Sequence, residues 1–101
     1  MSAAELERVI LSALLTREIG PSEWIRVEHS LATHRWHEPD HAVVYQAIVR
    51  SRTRDQKHWR EQLAAETARM GFPDVDWKSF LASTTPETKL ERLIRQLHLS
   101  R

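Results

Sequence analysis

Two segments of this chain would be apolar around nearly the whole circumference of a helix. The first spans residues 6–15 and the second spans residues 39–49. A helix that is apolar on most sides must be covered by neighbours in several directions. We therefore predict an all-α fold, a compact bundle of about six helices around two central apolar helices.

Length and composition narrow the classes that remain. The 101 residues are typical of one helical domain covering 1–101. The chain has no cysteine, which excludes disulfides, thiolate metal sites and cysteine nucleophiles. The N-terminus lacks a secretory signal pattern, and no apolar stretch approaches the ~20 residues that cross a bilayer. These features favour a cytoplasmic protein.

The first two helices are expected on either side of a Gly-Pro pair. Helix 1 is predicted to begin at Ser2, as N-cap, and to end before Gly20, which takes the left-handed cap conformation. Helix 2 is predicted from Ser22, again as N-cap, to about His34.

Three more helices follow. The third is predicted from Pro39 or the next residue to about Arg52, and the fourth from about Asp55 to Met70. A short fifth helix is expected to begin at Asp74 or Asp76 and to direct three apolar side chains inward, those of Trp77, Phe80 and Leu81.

A sixth helix is predicted to begin at Thr85, as N-cap, with Pro86 in its first position. Its apolar side chains form one stripe on an otherwise charged helix: Leu90, Leu93, Ile94 and Leu97. Most such stripes cover the protein's own core, but one near a terminus also suits docking on a partner. We take these four residues as the candidate partner interface.

The sequence lacks the motifs of the common catalytic sites. Its only glycines, Gly20 and Gly71, are isolated, so there is no phosphate-binding loop. There is also no nucleophile-elbow serine. Residues 37–41 spell His-Glu-Pro-Asp-His, but Pro39 interrupts the helix that a His-Glu-x-x-His zinc site requires. We expect no catalytic residue, no cofactor and no enzymatic activity.

Histidines are concentrated before and at the start of helix 3. The spacing of His34, His37 and His41 would place three imidazoles on one face of a continuous helix, which would suit a transition metal. Pro39 interrupts that helix, so the three rings need not converge. The simpler interpretation makes them connection and cap residues; we predict no metal site and keep metal binding as the alternative.

A basic stretch with one aromatic residue, residues 50–60, begins at the end of helix 3. In a nucleic-acid site, Trp59 would stack on a base and the cations of the stretch would contact phosphates. These cations are Arg50, Arg52, Arg54, Lys57 and Arg60. The competing interpretation is structural, because cations favour the C-terminal end of a helix and Trp59 lies on an inward face. Nucleic-acid binding through these residues is the alternative to a protein-docking function.

The two apolar segments also carry a family resemblance. The chain has an apolar helix at residues 6–15, then an aromatic residue, Trp36, and then the segment 39–48. In the family that it resembles, an opening helix of the type Glu-x-x-Val-Leu precedes a Pro-x-His-x-x-Ile-Phe/Tyr-x-Ala-Ile pattern. The residues that fall on the second pattern are Pro39, His41, Val44, Tyr45 and Ile48. This order resembles the N-terminal domain of DnaB-type replicative helicases, which often has Phe at the position of Trp36.

The end of the chain is similar to a second family. Residues 89–99 form a basic, leucine-rich segment like the last helix of the helicase-binding domain at the C-terminus of DnaG-type primases. Together the resemblances cover residues 5–50 well and 86–99 loosely, whereas 51–84 match neither. They imply a non-enzymatic docking domain linked to DNA replication, with a replicative helicase, a primase or a second copy of itself as partner.

The chain departs from both families in its domain content. It carries neither the ATPase domain that follows the helicase domain nor the catalytic domain that precedes the primase tail. The expectation is therefore either a stand-alone relative or one piece of a longer protein.

Overall fold

The structure, a computed structural model, describes residues 2–82 and 88–99. Within those ranges it is all-α, as predicted, and contains no strand. The α-helices are α1 (Ala3–Thr16), α2 (Pro21–Leu31), α3 (Pro39–Arg54), α4 (Leu63–Arg69), α5 (Trp77–Ala82) and α6 (Leu90–Leu99), with a 3₁₀ turn at Trp59–Gln62. None of these helices is long and apolar enough to cross a bilayer.

Helix α1 is the centre of the arrangement. It packs against α3, α5 and α6, while α3 also contacts α4 and the 3₁₀ turn, and α2 contacts α6. Ile10 and Leu11 of α1 and Val44 and Ile48 of α3 are completely buried. The prediction of two central apolar helices lying side by side is confirmed.

The junction between α1 and α2 differs from the prediction at Gly20. Ser2 is the N-cap of α1, as expected, and its hydroxyl accepts from the backbone N–H of Glu5. At the other end α1 stops at Thr16, and Gly20 has an ordinary φ of −69° because it is the N-cap of α2. Pro21, with its fixed φ, is therefore the first residue of α2, and the predicted cap at Ser22 is wrong.

The segment after α3 is not one helix from Asp55 to Met70. The Asp55 carboxylate accepts from the backbone N–H groups of Lys57 and His58, which offers the chain a turn in place of a helix. A 3₁₀ turn and the short α4 follow. Gly71 ends α4 with a φ of +88°, the left-handed conformation that glycine adopts without a steric penalty.

Helix α5 is capped by Asp76, whose carboxylate accepts from the N–H of Ser79. Phe80 is fully buried and Trp77 is half-buried against the core, but the predicted inward position of Leu81 is wrong, since this residue is 54% exposed. The predicted start of the sixth helix at Thr85 and Pro86 lies outside the described residues.

Candidate functional site

A carboxylate lies in the apolar centre of the molecule. Glu7 belongs to the second turn of α1, where it is surrounded along the chain by core residues, and it is fully buried. An isolated ionised carboxylate in such a place would be costly, so its partners determine whether it is tolerated. The partners are the three histidines around the start of α3.

All three imidazoles converge on this carboxylate. The Oε2 atom of Glu7 lies 2.5 Å from Nε2 of His34 and 2.8 Å from Nδ1 of His37. The Oε1 atom lies 2.9 Å from Nδ1 of His41, and it also accepts the backbone N–H of His37 at 3.0 Å. We call Glu7, His34, His37 and His41 the Glu7 cluster.

The convergence is produced by the connection rather than by one helix. His34 lies just after α2, His37 lies in the connection, and His41 lies in the first turn of α3. Pro39 does interrupt the helix, as the sequence indicated. The connection between α2 and α3 nevertheless places the three rings around a fourth residue. That residue, Glu7, is 27 positions away from the nearest histidine, so histidine spacing alone carried no signal for it.

Electrostatically, the cluster keeps Glu7 ionised. Burial by itself raises the pKa of this carboxyl group, but hydrogen bonds from His37, His41 and His34 and from the backbone N–H of His37 together hold it below its ordinary value. An ionised carboxylate only accepts hydrogen bonds. Each imidazole nitrogen that faces it therefore carries a proton, which assigns the tautomers of neutral rings.

The cluster is closed on one side and open on the other. The rings of His34 and His41 are almost completely buried, and Trp36 and Phe80 pack edge-on against them with centroid distances of 4.7 and 5.8 Å. The ring of His37, in contrast, is 50% exposed. Solvent therefore contacts the cluster at His37, whereas the Glu7 carboxylate itself is buried.

The basic stretch is used largely within the chain. The Arg52 guanidinium lies 4.4 Å from the ring centroid of Trp24 and 5.2 Å from that of Trp59, and Arg54 pairs with the buried Glu66. Arg60 donates to the carbonyl of Leu15 at 2.7 Å, at the end of α1. The same side chain donates to the carbonyl of Arg17 at 3.1 Å and stacks on Trp59.

Four cations of the stretch are exposed, Arg50, Arg54, Lys57 and Arg60, but Arg54 and Arg60 are engaged within the chain as described. Trp59 is buried, so it is not available to stack on a base. The structure thus leaves the predicted nucleic-acid contact with part of its cations and without its aromatic residue.

The apolar stripe of α6 belongs to the core. Its four members are 1–4% exposed and pack toward α1 and α2: Leu90, Leu93, Ile94 and Leu97. The amphipathic helix covers its own domain, so these residues are not presented to a partner, and the expected interface needs correction. A partner would reach this stripe only after α6 had separated from the bundle.

A groove between α2 and α6 does reach the surface. It encloses about 540 Å³, and Ile25, 67% exposed, forms part of its wall. Charged side chains from both helices line it, and Arg26 pairs across it with Glu91 at 3.3 Å.

Comparisons of the chain with protein-family models, curated proteins and solved structures found no match. The resemblance to the helicase and primase domains therefore rests on the sequence pattern and stays a prediction.

Proposed function

We propose that this chain is a non-enzymatic protein–protein interaction domain of the kind found at the N-terminus of replicative helicases and the C-terminus of primases. The packing of α1 against α3 supports the proposal most, because these two helices carry most of the resemblance. In this proposal the domain acts in the cytoplasm and contributes to DNA replication by docking.

The groove between α2 and α6 is the surface that best suits docking. It combines an exposed apolar side chain, Ile25, with a rim of both charge signs. Apolar side chains surrounded by a polar rim are typical of protein interfaces. One wall is α6, which carries the resemblance to the helicase-binding helix of primases, so the proposed occupant is a replicative helicase.

The test is binding of the chain to the replicative helicase of its source cell, measured by calorimetry. Ile25→Asp leaves the core intact because Ile25 is exposed, and it should weaken the complex at least tenfold if Ile25 is an anchor. Leu81→Asp is the matched control, an exposed leucine on α5 outside the groove, and it should leave the affinity unchanged.

Failure of the wild-type chain to bind the helicase would overturn the proposed partner. Size-exclusion chromatography of the chain alone and with the primase then shows whether self-association or primase binding takes its place. Equal weakening by the two aspartate variants would contradict the groove as the contact surface.

Nucleic-acid binding is the second candidate, supported by two exposed cations, Arg50 near the end of α3 and Lys57 just after it. It predicts binding of a labelled single strand that weakens steeply with salt and is lost in the Arg50→Glu, Lys57→Glu double variant. The candidate is rejected if anisotropy shows no binding at low salt.

A further inference from the structure

We propose that the Glu7 cluster is a binding site for a first-row transition-metal dication such as Zn²⁺, with Glu7, His34 and His37 as ligands. The proposal is independent of the docking function. It rests on the position of these side chains and on the chemistry of their donor atoms.

The donor atoms already lie together. One carboxylate oxygen of Glu7 and one ring nitrogen each of His34 and His37 are all within 4.8 Å of one another. Imidazole nitrogen and carboxylate oxygen are ordinary ligands of Zn²⁺, and two histidines with one glutamate form a known type of three-residue zinc site. The three residues come from α1 and from the connection that follows α2, so the fold itself brings them together.

The fourth member of the cluster holds the carboxylate in place. His41 donates to Oε1 of Glu7 at 2.9 Å, and the backbone N–H of His37 is shared between Oε1 at 3.0 Å and Oε2 at 3.1 Å. Oε2 is the atom that faces His34 and His37 and is the one available as a ligand. Ligating carboxylates are commonly oriented by such hydrogen bonds, which makes His41 a positioning residue.

Metal binding requires a small expansion of the cluster. With bonds of about 2.1 Å, a tetrahedral ion separates its ligand atoms by roughly 3.4 Å. Oε2 is 2.5 and 2.8 Å from the two ring nitrogens, distances that suit protons between them. His34 and His37 lie on the connection outside the helices, so their movement need not displace α1 or α3.

The surroundings also suit a cation. One glutamate carboxylate and two imidazoles, which bind metal through deprotonated oxygen and unprotonated ring nitrogen, make a ligand set that favours a dication, and Glu7 lies in the buried centre. On binding, the proton of each ligating ring moves to its other nitrogen. His37 is half exposed, which gives the ion an entry path and leaves its remaining coordination position to water.

The experiment uses the tag-free, full chain freed of metal with a chelator. Co²⁺ and Zn²⁺ are titrated separately, and the visible spectrum of Co²⁺ reports the ligand geometry. We expect one ion per chain, with Zn²⁺ displacing Co²⁺. His37→Gln should weaken binding more than 100-fold and His41→Gln about 10- to 100-fold, the usual range for a residue that orients a ligand.

His58→Gln is the matched control, because His58 is an exposed histidine outside the cluster, and it should bind metal as the wild type does. Undiminished binding by folded His37→Gln, or no binding by the wild type at millimolar metal, would overturn the proposal. If His37→Gln fails to fold, wild-type ¹⁵N spectra decide: Zn²⁺ must shift Nε2 of His34 and Nδ1 of His37, and unchanged resonances reject the site.

Discussion

Replacement of Glu7 by glutamine tests whether the buried carboxylate holds the connection between α2 and α3. In the metal-free protein its two oxygens face three ring nitrogens and one backbone N–H, all of them donors. Glutamine is neutral and presents an NH₂ group in place of one oxygen, so a ring that faces this group must move its proton to the other nitrogen and accept. A hydrogen bond to a charged group contributes about 1.5–3 kcal/mol and a neutral one about 1 kcal/mol, so over the three ring contacts we expect a loss of about 3 kcal/mol.

That loss is large for a domain of this size. Total stabilities of about 5–15 kcal/mol are usual, and each kcal/mol corresponds to about 4–8 °C in Tm near 100 residues. Differential scanning calorimetry in the presence of a chelator should therefore show Tm lowered by about 12–24 °C. Glu61→Gln, at an exposed site on the 3₁₀ turn, is the matched control and should melt with the wild type. A Glu7→Gln protein that melts within about 4 °C of the wild type would refute the reasoning.

Three further expectations concern α6, pH and the tryptophan pair. Leu93→Asp should abolish helical circular dichroism because Leu93 is 2% exposed, whereas Leu99→Asp, at a site 79% exposed, should preserve it. Helicity retained in Leu93→Asp would contradict the packing of α6 in the core. The pKa of Glu7 in the folded protein lies below the ordinary 4.5, so its ionised form stabilises the fold fully above pH 4.5 and this contribution is lost as the pH falls through the folded pKa. The difference in urea midpoint between wild type and Glu7→Gln should therefore shrink below about pH 4.5. Arg52→Lys should cost about 1 kcal/mol in urea unfolding, since lysine lacks the planar guanidinium that stacks on the tryptophan rings, while Arg50→Lys should cost nothing measurable.

The helices could be predicted from the sequence where one local pattern dominated. The apolar circumference of α1 and α3 indicated burial on several sides, and Ile10 and Ile48 are indeed inaccessible. The apolar stripe correctly indicated which face of α6 is buried. The same pattern could not tell whether that face packs on this chain or on a partner protein. Burial of Leu93 in the domain's own core depends on how α1 and α2 are placed.

The Glu7 cluster shows what local patterns miss. Glu7 reads as an ordinary charged residue of an opening helix, and only the return of the chain after α2 surrounds it with imidazoles. The sequence signal was its position: Glu7 is the one carboxylate of the apolar segment 6–15, and a side chain among so many core residues has few directions that lead to solvent. The break after Asp55 was missed for a related reason, because a side-chain hydrogen bond to the backbone competed with a helical pattern.

The side chain of Arg60 completes the end of α1 from a site 45 residues further along the chain. The last carbonyl groups of a helix accept no N–H from within the helix, and here the Arg60 guanidinium donates to the carbonyl of Leu15. The chain between Leu15 and Arg60 must close into a loop before this hydrogen bond can form. We therefore expect the last turn of α1 to become fully ordered only when the 3₁₀ turn has packed against it. An excised peptide of residues 2–17 would fray from its C-terminal side, and backbone amide exchange near Arg17 would report the docking of Trp59–Gln62 rather than the strength of α1 itself.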